Sequence, residues 1–159
     1  MADVHPNKPT LKINSKAEGL LTSVIDMNGT PVFGSYAINF SEGFINEICQ
    51  RVFEDEIKKG GHSLDLAKDF IGELSNIVCG RAKDLLSRKG YSFGLATPRI
   101  ICGNNHDVEH AIKGPVIQVP FNSPWGSFYV ETSFCAADNY YAPLAKHRRQ
   151  NSEPRRAVA

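Results

Sequence analysis

The stretch GLLTSVIDMNGTPVFGSYAINF, residues 19–40, decides the fold of this chain. It contains two runs of β-branched, aromatic and other apolar residues, one on each side of Asn28 and Gly29. Such runs favour extended strands. An Asn-Gly pair tolerates the positive φ angles that a tight hairpin turn requires. The stretch therefore predicts an antiparallel β-hairpin with its turn at Asn28 and Gly29.

Two helices are predicted after this hairpin. Ser41 is a candidate N-cap for EGFINEICQRVF, whose apolar residues recur at helical spacing. A charged connection with two adjacent glycines follows. Ser63 is a candidate N-cap of the second helix, and Gly90 is a candidate terminator preceded by cationic residues. The helices are thus expected to be consecutive in the chain, with no strand between them.

From Tyr91 onward the sequence again favours strands. The segments FGLATPRIICG, GPVIQVPF and WGSFYVETSF are separated by turn-forming residues. In the last segment, Phe128, Val130 and Thr132 alternate with residues of the other face. A hairpin, two helices and about three strands predict an α+β fold. Two main α-helices would pack on a mostly antiparallel β-sheet.

Length and composition indicate one globular domain. The chain has 159 residues, of which 42% are hydrophobic and 22% charged, with a net charge of +1. We expect a flexible N-terminal arm over residues 1–10, a folded domain over 11–142 and a basic, disordered tail over 143–159. The tail carries the excess of cations. Nucleic acid is not expected as a partner, but a contact through the tail is an alternative that steep salt dependence would reveal.

The cysteines and the N-terminal sequence bear on the compartment. The four cysteines form no C-x-x-C pair and lie in apolar runs, which favours buried, reduced thiols over a disulfide framework. No apolar signal region begins the sequence, and no apolar run reaches the roughly 20 residues needed to span a bilayer. We therefore expect a cytoplasmic protein that makes no membrane contact.

A polar stripe runs along the second predicted helix. Its members are Asp69, Glu73, Asn76, Gly80, Lys83 and Ser87. At about 100° per residue they fall within roughly 40° of one line. The residues expected to face the core lie on the opposite arc: Ala67, Phe70, Ile71, Leu74, Ile77, Val78, Ala82 and Leu85. The stripe is therefore expected to face away from the sheet.

Two features distinguish this stripe from an ordinary solvated helix face. Gly80 costs about 1 kcal/mol relative to alanine, and its missing side chain lets another backbone approach. Glu73 and Asn76 are i,i+3 neighbours whose β-carbons lie about 5–6 Å apart. A carboxylate pairs with a cation, while a carboxamide both donates and accepts and so can orient a water molecule. From these residues alone, both a solvated face and a docking surface remain open.

The run DFIGELSN, Asp69 to Asn76, resembles the D/S-x-x-x-E-x-x-N signature of the CheC/CheX/FliY chemotaxis phosphatases. The CheX-like branch is the most similar. The hairpin and first helix, SVIDMNGTPVFGSYAINFSEGFINEI, also resemble this family. So do the motif helix with its following strand and the closing strands in VPFNSPWGSFYVE. The similarity covers about residues 20–134.

The resemblance implies a protein-aspartate phosphatase acting on phosphorylated CheY-like response-regulator receivers. Asn76 would position the attacking water, and Glu73 would engage a lysine of the receiver. Asp69, Gly80 and Lys83 would contact this partner. The receiver would supply Mg²⁺, while this chain would hold neither metal nor cofactor.

Two further expectations concern assembly and catalysis. The resemblance implies a homodimer formed through the sheets, and an uncovered strand edge would favour such pairing. The alternative function is a non-catalytic receiver-binding or dimerisation adaptor that uses the same helix as a docking face.

Three other groups are weaker candidates. CheC-type proteins carry a second E-x-x-N on the first helix, where this chain has Glu47 and Gln50, a spacing that also suits ordinary amphipathic packing. His106 and His110 could chelate a metal on a helix, but the neighbouring residues predict a surface loop without a third ligand. Cys79 is interpreted as a packed thiol rather than a nucleophile.

Overall fold

The predicted α+β architecture is confirmed by the computed structural model, which describes residues 3–29 and 32–136. Within these residues, one antiparallel sheet of eight strands packs against three helices. The strands are β1 (His5–Pro6), β2 (Thr10–Lys12), β3 (Leu21–Gly29), β4 (Val32–Phe40), β5 (Phe93–Leu95), β6 (Arg99–Cys102), β7 (Val116–Ser123) and β8 (Gly126–Ala136). The helices are α1 (Glu42–Val52), α2 (Glu54–Lys58) and α3 (Ser63–Ser87).

The sheet is built from two long hairpins joined side by side. Its order is β1-β7-β8-β4-β3-β5, with β2 also paired to β7 and β6 also paired to β3. Strand β4 pairs with β8 along the whole length of β4, from Val32 opposite Ala136 to Phe40 opposite Phe128. Short strands form both edges of the sheet: β1 and β2 lie beside β7, and β5 and β6 lie beside β3. Short edge strands limit the backbone available for further pairing.

The predicted hairpin is present, but its turn is not at Asn28 and Gly29. Both residues belong to β3, where they pair with Gly94 and Phe93 of β5. A β-carbon on Gly29 would lie 2.3 Å from the Ser92 carbonyl oxygen, so glycine is required by the close approach of β5. The connection between β3 and β4, residues 30–31, lies outside the described residues.

Helix boundaries follow the predicted signals only in part. The Ser41 side chain accepts a hydrogen bond from the Phe44 N–H at 3.3 Å and caps α1 as predicted. The prediction for Ser63 was wrong, because it is the first residue of α3 and His62 precedes it without a side-chain cap. Gly90, at φ 91°, terminates α3 and donates its N–H to the Ser87 carbonyl.

The sheet buries apolar residues on both faces. The helix face is the side covered by α1 and α3, and the far face is the opposite side. A cluster on the helix face contains Leu21, Ile38, Phe40, Phe44, Ile45, Ile48, Cys49, Ala67 and Ile71. A smaller cluster on the far face contains Ala17, Val24, Ala37 and Val108. The strand alternation predicted for β8 fits this arrangement, because Phe128 and Val130 pack against the helix-face cluster.

A buried polar network lies beside the smaller cluster on the far face. The ammonium of Lys12 is ion-paired with the carboxylate of Glu131, and the two side chains are only 4% and 1% exposed. The same carboxylate accepts hydrogen bonds from Asn39 at 2.7 Å and Gln118 at 3.2 Å. His110 Nε2 lies 3.3 Å from its second oxygen. This network attaches β2 to the central strand β8.

The charge of Glu131 is maintained by its partners. Burial alone raises the pKa of its carboxyl, but the hydrogen bonds from His110 and Lys12, together with the charge of Lys12, outweigh that effect. The pKa of Glu131 is therefore lowered from its ordinary value. The ionised form is the one on which the network depends.

Several expectations from the sequence remain untested or need correction. Residues 143–159, the predicted tail, lie outside the described residues. Segment 1–10 was predicted as a flexible arm, and within it His5 and Pro6 pair with β7. Of the four cysteines, Cys49 and Cys79 are buried as predicted, whereas Cys102 is exposed. Among the described residues, none of the helices combines the length and apolar character that a membrane crossing would need.

Candidate functional site

Glu73 and Asn76 lie side by side on the solvent-facing side of α3. Both residues are exposed, as predicted from the stripe. Within residues 3–29 and 32–136, no hydrogen bond or ion pair engages either side chain. Their spacing of three residues in a continuous helix brings the two polar groups to the same patch of surface. A carboxylate and a carboxamide are thus presented together, with their bonding capacity unused.

The buried line of α3 differs from the predicted one. It consists of Ala67, Ile71, Ser75 and Cys79, which are at most 2% exposed. Ile77, Val78 and Leu85 were expected in the core, but they are 49%, 42% and 61% exposed. Small residues at three of the four buried positions let α3 approach the sheet closely, and the larger apolar residues are left on its flanks. The sequence signal that was missed is this i,i+4 line.

One buried residue of α3 has an unsatisfied polar group. Ser75, the residue before Asn76 in the chain, is fully buried, and its hydroxyl has no hydrogen-bond partner among the described residues. A buried hydroxyl without a partner carries a desolvation cost of about 1–3 kcal/mol. The helix that presents Glu73 and Asn76 is therefore less stably packed than it could be.

Replacing Ser75 by alanine should raise the free energy of unfolding by about 1 kcal/mol, because the unsatisfied hydroxyl is removed and alanine favours the helix. Urea denaturation followed by circular dichroism measures this change. Ser87→Ala, at an exposed position of the same helix, is the control and should change stability by less than about 0.5 kcal/mol. A destabilised Ser75→Ala protein would show that the hydroxyl has an unrecognised partner.

The three predicted partner-binding residues differ in their exposure and in their distance along α3 from Glu73 and Asn76. Asp69 is exposed one turn before Glu73, and Lys83 is half-buried near the end of the helix. Gly80 follows Asn76 by one turn, and a β-carbon placed on it would meet nothing within 4 Å. The chain's own packing therefore does not require glycine at this position. Their contact with a partner stays a prediction.

The E-x-x-Q of the first helix has a different environment. Glu47 is half-buried and accepts a hydrogen bond from Arg51 Nε at 2.7 Å, while Gln50 is exposed. The carboxylate of Glu47 is thus already engaged by a neighbouring cation on its own helix. This distinguishes it from Glu73, whose carboxylate has no such partner among the described residues.

The histidine pair lies in the connection between β6 and β7, as predicted, but both rings turn inward to contact strand residues. His106 Nε2 lies 2.6 Å from the Thr22 hydroxyl, and His110 Nδ1 lies 2.8 Å from the Ser35 hydroxyl. The side chain of His110 is only 6% exposed. The two rings are engaged separately. No group of three or more potential metal ligands occurs in the part of the chain that the structure describes.

Cys79 is a packed thiol. It is 2% exposed on the buried line of α3. Burial raises the pKa of its thiol to about 11, so the reactive thiolate is scarce at neutral pH. Cys79 is therefore not a candidate nucleophile, and Glu73 and Asn76 remain the candidate functional groups of α3.

Comparison with known proteins agrees with this fold. A family model described as chemotaxis phosphatase CheX matches residues 21–122. A CheC-like superfamily protein from Shewanella sp. PV-4 is 38% identical, with 84% of each chain covered and a TM-score of 0.70. The chemotaxis protein CheX of Desulfovibrio desulfuricans is 32% identical, with 85% of this chain and 86% of that chain covered and a TM-score of 0.72. No curated protein matches the chain.

A more distant structural relative shares the fold. It is the CheX of Borrelia burgdorferi, solved as a CheX–CheY–BeF3–Mg²⁺ complex, with 23% identity, 82% and 83% coverage and a TM-score of 0.63. The family match extends over more than half of the chain and includes Glu73 and Asn76. The chain therefore belongs to the CheX family of chemotaxis phosphatases.

Proposed function

We propose that this protein hydrolyses the aspartyl phosphate of a CheY-like receiver domain, with Glu73 and Asn76 as its catalytic residues. The observation that carries the proposal is the presentation of both side chains, exposed and without partners among the described residues, on one face of α3. The helix face of the sheet holds α3 in place through its buried line. The pair therefore lies on a rigid element that can be set against another protein.

The proposed chemistry uses each group for one task. The Asn76 carboxamide accepts a hydrogen bond from a water molecule and donates one to it, and thereby aligns the water with the phosphorus atom. The Glu73 carboxylate pairs with a lysine of the receiver and sets the orientation of the two proteins. Phosphoryl transfer depends mainly on positioning and charge stabilisation. Two well-placed side chains are consequently enough.

The partner would supply the metal. Mg²⁺ is present in the complex that the Borrelia relative forms with CheY, and no metal-ligand cluster occurs among the described residues of this chain. A receiver that already holds Mg²⁺ and the phosphoryl group needs only an ordered water to react faster. The proposal therefore assigns Mg²⁺ to the receiver and no cofactor to this chain.

Homodimerisation is a separate proposal. Pairing through a long open edge is less favoured than the sequence suggested, because β1 and β2 occupy the outer side of β7. Support comes instead from exposed apolar residues on the helix face and the flank of α3, namely Val78, Ile117 and Phe134. Light scattering coupled to size-exclusion chromatography tests the dimer, and a monomer at micromolar concentration would contradict it.

A phosphate-release assay tests the catalytic function. CheY-like receivers from the source organism are phosphorylated with a small-molecule phosphodonor in the presence of Mg²⁺, and release is followed with and without this protein. At least one receiver should lose phosphate about 10²-fold faster than by self-hydrolysis, as expected from orientation of the water. Binding to a receiver without faster release would instead favour the non-catalytic adaptor.

A further inference from the structure

Ile77 is an exposed apolar residue beside the proposed catalytic pair. It follows Asn76 directly and lies about 40° around the helix axis from Glu73. Half of its surface, 49%, is exposed. In the part of the chain that the structure describes, it belongs to neither apolar cluster. The neighbouring Val78 lines a groove against β8, but Ile77 does not. Its side chain therefore lies beside the stripe, next to Glu73, rather than in the groove.

The folded chain gains little from isoleucine here. A β-branched residue loses rotamer freedom in a helix, and lysine or glutamate at an exposed position would favour both helix and solubility. Gly80, one turn further on, also lowers the stability of the helix. The fold does not require glycine there, since a β-carbon would meet nothing within 4 Å. An apolar projection next to Glu73 and a recess next to Asn76 are thus present without an internal reason for either.

We propose that Ile77, with the recess at Gly80, is a docking residue for the phosphorylated receiver. This inference rests on the proposed function, because its position beside Glu73 and Asn76 identifies the partner. The polar pair aligns the reacting atoms, whereas Ile77 contributes affinity by burying its exposed half against the receiver. A residue with that role affects how tightly the receiver is held, and it leaves the rate within the complex unchanged.

Kinetics of Ile77→Ser test the proposal. Its KM for the phosphorylated receiver should rise roughly tenfold, the effect of no longer burying half of an isoleucine. Its kcat should stay within about twofold of the wild-type value, because Glu73 and Asn76 remain in place. Ile77→Leu should retain a wild-type KM. Leu85→Ser is the matched control, since Leu85 is 61% exposed on the same helix and should have no effect on either constant.

Three kinetic outcomes would overturn the inference. They are an unchanged KM in Ile77→Ser, a fall in kcat without a rise in KM, and an equal effect of Leu85→Ser. Size-exclusion chromatography must show the wild-type oligomeric state for each variant, since a change of assembly would assign Ile77 to contact between copies.

A binding titration separates this proposal from the catalytic one. The receiver is loaded with beryllofluoride and Mg²⁺, and its Kd is measured for wild type and Ile77→Ser. If wild type binds but does not accelerate phosphate release, the catalytic function fails, while a roughly tenfold weaker Kd in Ile77→Ser still supports docking. An unchanged Kd would refute the docking role even if wild type is catalytically active.

Discussion

Asn76→Ala is expected to reduce receiver dephosphorylation by roughly 10²-fold, to about the rate of self-hydrolysis, because losing one positioning hydrogen-bond group typically costs at least that factor. The methyl group of alanine can neither donate to nor accept from a water molecule, so the attacking water is no longer held in line. Because Asn76 is exposed and has no partner among the described residues, the fold should survive. Alanine is also the better helix former, so the thermal midpoint should stay constant or rise slightly.

Single-turnover release of phosphate from the phosphorylated receiver measures this effect. Asn46→Ala is the matched control, since Asn46 is an exposed asparagine on the neighbouring helix α1, and it should keep the wild-type rate. A beryllofluoride-loaded receiver should still bind Asn76→Ala, which separates loss of chemistry from loss of docking. A folded Asn76→Ala protein with the wild-type rate would refute the assignment of Asn76.

The largest effect on stability is expected from Glu131→Gln. This substitution keeps the shape of the side chain but leaves the buried ammonium of Lys12 without a counter-charge. Removing one partner of a buried ion pair typically costs about 3–5 kcal/mol. Since glutamine retains an oxygen that accepts hydrogen bonds, we expect the lower end, about 3 kcal/mol, in urea denaturation.

Two further variants test whether the loss of stability comes from the burial of the two charges. Glu54→Gln breaks the exposed ion pair with Lys58 and should cost less than about 0.5 kcal/mol. Adding Lys12→Met to Glu131→Gln should recover part of the lost stability, because no uncompensated charge then remains buried. A loss below about 1 kcal/mol in Glu131→Gln would contradict the importance of this pair.

The pH dependence follows from the lowered pKa of Glu131. Its ionised form stabilises the folded state above the ordinary value of 4.5, and this contribution is lost as the pH falls from that value through the lowered pKa of the folded protein. The difference in unfolding free energy between wild type and Glu131→Gln should therefore be constant near neutral pH and shrink under acidic conditions. A difference that does not change with pH would show that the charge is irrelevant.

The order of the main elements and the exposed polar pair of Glu73 and Asn76 are readable from local sequence. Alternating strands, a 3.6-residue apolar period and the cap at Ser41 are properties of neighbouring residues, so they do not depend on the rest of the chain. The exposure of Glu73 and Asn76 follows in the same way, because the other side of the helix offers enough apolar surface to face a sheet. The family resemblance then attached a chemical role to these two positions.

Tertiary structure alone decided which apolar residues of α3 are buried. Periodicity gives an arc about 100° wide, but the sheet accepts one narrow line, and the small side chains of Ala67, Ser75 and Cys79 allow the closest approach. Ile77 was left exposed beside the stripe as a result. Likewise, Gly29 serves the approach of β5, a strand more than 60 residues later in the chain. The atoms that pack against α3 and against Gly29 both come from segments distant in the chain, so neighbouring residues do not predict these contacts.

The far-face network also depended on the fold. Lys12 and Glu131 are separated by 119 positions in the chain, and nothing near either residue predicts that the other lies beside it. Burial removes water from both charges, so they are tolerated only where the sheet brings them together. Sequence by itself indicated the two main helices, the long strands, their order and the polar pair on α3, whereas α2 and β1 were not predicted. The packing of sheet and helices determined which groups are buried, which are paired and which remain available to a partner.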